Sequence, residues 1–269
     1  MQHQRRRGLP ELPDQITRRL KPEEEELRRK REELAAIRAT LAERELELID
    51  FRGQLAAFEG RYLRQVGTLY AELDDWKARI AELQAKADPS SAANARAEEA
   101  REQARQTYED AHGTSSETHD FTPSPELRRL YREVAKRIHP DFATDPADRE
   151  RRTRFMAEAN RAYEGGDSEA LRRILDEFHD GADAVEGEGI GAELIRIIRQ
   201  ISLAKERVAA IERELAALRE GEIALLKKQA EEKEQEGRDL LAELATAVRE
   251  KIEVARREYE ALVQEGKTA

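Results

Sequence analysis

Cysteine is missing altogether from the 269 residues, which excludes disulfide frameworks, cysteine-ligated zinc and thiol catalysis. Aromatic residues make up only 5% of the chain and hydrophobic ones 39%. One large compact core cannot be filled from that supply, so the apolar side chains must be spread along narrow stripes. No stretch approaches the ~18 apolar residues a membrane span needs. The basic start, Met1 to Pro13, has no apolar run behind it and is unlike a secretory signal. A cytoplasmic protein with no membrane partner is the expectation. His112, His119, His139 and His179 fit no metal-ligand spacing, and there is no nucleophile–base pair and no glycine-rich phosphate loop. Neither an enzyme nor a metal or cofactor site is expected.

What the chain does hold is charge, at 39% of residues with a net −10. That balance disfavours wholesale binding to nucleic acid. Few glycines and prolines among abundant Ala, Glu, Leu, Arg and Lys indicate long helices. Proline and glycine then mark the boundaries. Residues 1–19 read as a basic disordered tail and 20–87 as a first coiled-coil arm. Residues 88–120 read as a linker with a short helix, and 121–180 as a small helical unit. A Gly-rich acidic linker over 181–189 leads to a second arm over 190–265. The class is all-α.

The first arm carries a sevenfold ladder, Leu20, Leu27, Leu34, Leu41, Leu48, Leu55, Tyr62, Leu69, Trp76 and Leu83. Its companion apolar positions follow the rungs before Tyr62 and precede them after it. This 3-4-4-3 stutter locally unwinds a supercoil, and Gly53, Gly60 and Gly67 lie close by. The second arm alternates by four and three from Ile190 to Leu218, meets a polar stretch from Lys227 to Arg238, and resumes at Leu241. Each stripe must be buried against something. The arms either fold on each other as an antiparallel hairpin or pair with a second copy in a homodimer. Loop-closure entropy tips the reading toward the hairpin.

The middle unit has the distinctive local chemistry. Ser124 caps a helix that opens on Pro125. It buries Leu127, Leu130, Tyr131, Val134 and Ile138, and turns Arg128, Arg129, Arg132, Lys136 and Arg137 outward. Pro140 stops it at His139. Asp145-Pro146 starts a second helix, with Phe155, Met156, Ala159, Ala162 and Tyr163 inward, which ends at Gly165-Gly166. A third begins at Asp167 or Ser168 and presents Leu171, Ile174, Leu175 and Phe178.

The basic helix, the following His139-Pro140-Asp141, and Asn160-Arg161-Ala162-Tyr163 some twenty residues on together resemble the J-domain of DnaJ-type (Hsp40) co-chaperones, over about sixty residues. The resemblance implies a co-chaperone that stimulates ATP hydrolysis by an Hsp70 partner. Asp141 would make the specific contact, His139 and Pro140 would shape the loop, and Arg128, Arg129, Arg132, Lys136 and Arg137 would meet an acidic surface. The usual short first helix, a Gly/Phe-rich segment and a substrate domain are missing. That places the chain with the J-domain-only third class, working through what its arms bind. The alternative is a structural coiled-coil adaptor with an inactive J-like segment.

Overall fold

In a computed structural model, residues 21–88, 90–113, 121–143, 145–178 and 189–268 are described. They form an all-α fold, with no strand among them. The basic tail expected over 1–19 and most of the acidic linker lie outside the described residues.

Helix α1 (Pro22–Tyr62) passes through one π-helical turn (Leu63–Gly67) into α2 (Thr68–Ala87). The two form one rod of about 100 Å at ~1.5 Å per residue. The π turn falls where the ladder changes phase. Its extra residue per turn re-aims the apolar stripe without ending the helix, and Val66 within it is wholly buried.

The second arm is α7 (Ile190–Glu220), α8 (Glu222–Gln235) and α9 (Leu240–Thr268). Arms of one chain pair with each other, but in parallel; the antiparallel hairpin is not formed. Arg31 meets Glu193, Arg207 meets Glu45 and Arg52 meets Glu214, all 162 residues apart. On the other flank Lys205 meets Glu33 and Arg219 meets Glu47, both 172 apart. A constant offset on each flank, rising together along both helices, is the mark of a parallel pair with charges bracketing an apolar seam. That seam holds Leu27, Leu34, Leu41 and Leu48 against Ile197, Ile201, Ala204, Ile211 and Leu215. Further along, Phe58, Val66, Leu73 and Ile80 pack with Leu241, Ala245, Val248, Ile252 and Ala255, and the Trp76 and Tyr259 rings meet edge-on at 5.5 Å. The offset has grown there, and α8 takes up the surplus. The polar stretch that interrupted the second stripe lies largely in this detour, so it needs no polar counterpart across the seam.

Between the arms the chain retraces the rod. Helix α3 (Ser91–His112), capped by Ser90, runs back along α2, with Arg101 on Glu82 and Thr107 on Asp74. Helix α4 (Pro125–Ile138) continues backward along α1, with α5 (Pro146–Glu164) and α6 (Ser168–Glu177) packed over it. Side-chain caps from Ser124, Asp145 and Asp167 start these three helices. Their core, Leu127, Tyr131, Ile138, Ala159, Tyr163, Leu171 and Phe178 among others, is completed by Ala42, Leu46 and Ile49 of α1. The α4–α6 unit is therefore built onto α1. Phe121 covers this core from outside the three helices, its ring 6.1 Å from that of Tyr163. A Cβ on Gly53 would come within 2.5 Å of this ring.

Two measurements check this arrangement. With Arg31→Cys and Glu193→Cys in one chain, a short bismaleimide should cross-link within the monomer. Arg31→Cys with Glu258→Cys, which a hairpin would bring together, should give no intrachain product. Gly53→Ala, which gains helix propensity of about 1 kcal/mol on an exposed site, should instead lower the melting temperature, because Phe121 is displaced; no loss would mean that the ring does not bind there.

Candidate functional site

The His-Pro-Asp corner follows from local rules. Pro140 has no amide hydrogen and biases His139 away from helix, and His139 sits at φ −56°, ψ 134°. Residues 140–142 form a single 3-10 turn. The last turn of α4 is held from α5, where the buried Arg152 donates to the Arg137 carbonyl at 2.9 Å and to Asp148 at 2.7 Å. Its guanidinium also lies 4.9 Å from the Phe178 ring centre. Within the basic run from Arg149 to Arg154, Arg152 is thus an internal strut.

The corner is covered on both sides by the long helices. The His139 side chain is 4% exposed. Its Nδ1 accepts the Asp141 amide at 3.2 Å, which leaves the proton on Nε2 to be donated to Glu45 Oε1 of α1, also at 3.2 Å. The same carboxylate oxygen accepts Arg207 Nε of α7 at 2.8 Å. Burial alone would push the Glu45 carboxyl upward. The hydrogen bonds from His139 and Arg207 outweigh it and hold the group below the usual carboxylate range. Burial works the other way on Arg207, yet Glu45 keeps its guanidinium firmly charged.

Phe142 completes the seal. It is 2% exposed and belongs to the α1–α7 seam, where burying its ring contributes roughly 2–3 kcal/mol. Arg38 of α1 lies over it at 4.5 Å, and Gln200 of α7 donates to its carbonyl at 2.9 Å. Asp141 is less deeply buried than His139 and Phe142. Its carboxylate is 14% exposed, 3.8 Å from Arg149 and 3.7 Å from His139 Nδ1.

The expected basic contact face divides. Arg128 pairs with Asp50 at 3.1 Å and Arg132 with Glu43 at 3.3 Å, both acids on α1. Arg137 donates to the Leu175 carbonyl. Arg129 and Lys136 are exposed, and Pro140 is half-buried. Tyr163 donates to Asp50 at 2.5 Å, and burial first, then that bond, raises its phenol above the ordinary range. Thus Asp50 and Glu43 of α1 take two of these cations within the chain, and Glu45 takes His139. These acids, with Gln200, Arg207 and Phe142, are the residues sequence reasoning missed. A glutamine set between Ile197 and Ile201 and a phenylalanine directly after His-Pro-Asp were the available signals.

Comparison with known proteins gave no match to a family model, a curated protein or a solved structure. Among the described residues no group of acidic or histidine side chains is arranged to hold a metal ion, and no helix is long and apolar enough to cross a membrane.

Because the Glu45 carboxyl sits below its unfolded value of ~4.3, its stabilising contribution is complete above that pH and is lost as pH falls through the folded value. Glu45→Gln should therefore cost about 1–3 kcal/mol near pH 7. In urea titrations the gap from the parent should close below about pH 4. A gap that stays constant down to pH 3 would mean that this carboxylate is not the joint.

Proposed function

We propose that the chain is a structural coiled-coil adaptor, a stiff parallel rod in which the J-like unit acts as an internal brace. The burial of the His139-Pro140-Asp141-Phe142 corner carries this reading. A loop that regulates another protein has to touch it, and here α1 and α7 fill the space on both sides. Two of the five cations that would orient such a partner are engaged by α1 acids. The expected joint with another molecule has become a joint within one.

The second reading is the Hsp70 co-chaperone with a J-domain kept out of contact in this arrangement. Two observations favour it. The sequence pattern of basic helix, His-Pro-Asp and Asn-x-Ala-Tyr is kept, and Asp141, Arg129 and Lys136 still reach solvent to differing degrees. On this reading α7 must part from α1 before an Hsp70-type chaperone can bind.

The two readings separate in a single-turnover ATPase assay with the Hsp70-type chaperones of the source cell. The adaptor reading expects no stimulation by the parent chain. It also expects none from Gln200→Ala combined with Ile201→Asp, which loosens α7. Stimulation by the loosened variant that disappears on adding Asp141→Asn would establish the co-chaperone and remove the adaptor reading.

A further inference from the structure

Pairing with α2 and the π turn uses only one stripe of α9. A second stripe on the same helix, Ala247, Lys251, Val254, Glu258 and Ala261, recurs at the same four-three spacing and is exposed throughout. Val254 at its centre is 63% exposed, more than any other large apolar side chain of the described chain. It borders a groove of about 880 Å³ between α2 and α9, floored by Leu73, Ile80 and Ala255. Glu250, Lys251 and Glu258 have no ion-pair partner among the described residues.

We infer that this groove receives the same groove of a second copy of the chain, related by a two-fold axis that sets the two α9 helices antiparallel. The charge order selects this occupant. Lys251 and Glu258 flank Val254 three residues before it and four after it. In an antiparallel pair centred there, Lys251 of each copy lies within one residue, about 1.5 Å, of level with Glu258 of the other, so the two contacts are made reciprocally, as a two-fold interface requires. A parallel pair would set like against like. Val254 and the small residues Ala247 and Ala261 allow close approach, and the two grooves close into a four-helix bundle. The inference stands apart from the adaptor reading, since it holds whether or not the His-Pro-Asp corner ever opens.

Sedimentation equilibrium of the full chain tests it. The expected result is a dimer of the 30.8 kDa chain. Val254→Arg should give a monomer of unchanged helix content, since the residue is already exposed in one chain. Lys251→Glu alone should raise Kd about tenfold, the loss of two surface pairs plus repulsion, and Lys251→Glu with Glu258→Lys should restore it. A parent chain that stays monomeric up to about 1 mM, beyond which Kd marks no useful affinity, overturns the proposal and leaves the groove to a helix of some other protein. A dimer indifferent to Val254→Arg, or a double reversal no tighter than the single one, overturns it equally.

Discussion

Two helices that run in the same direction leave the end of the first a full rod length from the start of the second, and no short turn can join them. The whole plan follows from that constraint. Having reached Ala87, the chain must travel back about 100 Å before α7 can begin beside α1. It does so under cover, α3 along α2 and then α4 along α1, so that the return path itself buries apolar surface. An antiparallel hairpin would have needed neither element. The unit formed by α4, α5 and α6 ends the return, packed on α1.

This placement explains why the corner after α4 is covered. The turn that reverses the chain lies where α7 comes alongside α1, and Phe142 goes into their seam. Three helices then meet at one carboxylate, Glu45, which takes His139 from the return path and Arg207 from the second arm. Such a joint stabilises by completeness. Removing any one partner leaves a buried polar group short of a hydrogen bond, which costs more than the bond was worth net.

Much of the local structure was legible in the sequence because it depends on nearest neighbours. Caps at Ser124, Asp145 and Asp167, the stop at Pro140 and the phase change beside Tyr62 follow from residues a few positions apart. Direction of pairing did not. Parallel and antiparallel arms bury the same stripes, and the charges that decide between them, such as Arg31 with Glu193 and Arg219 with Glu47, are 162 and 172 residues apart. The excursion of α8 hid the match further, since it breaks the second stripe with no break opposite. For the site the obstacle was similar. A row of arginines on α4 reads as an outward face until one knows that Glu43 and Asp50 stand in front of it.

The long helices close over the His-Pro-Asp turn. Amide hydrogen exchange at Asp141, Phe142 and Ala143 tests this most directly. All three amides are hydrogen-bonded, to His139 Nδ1, to the His139 carbonyl and to the Pro140 carbonyl, beneath the α1–α7 seam. Exchange is expected only through global unfolding, at the slow rate of the seam residues around Ile201. Exchange at the rate of an open loop, with the seam itself still protected, would contradict it.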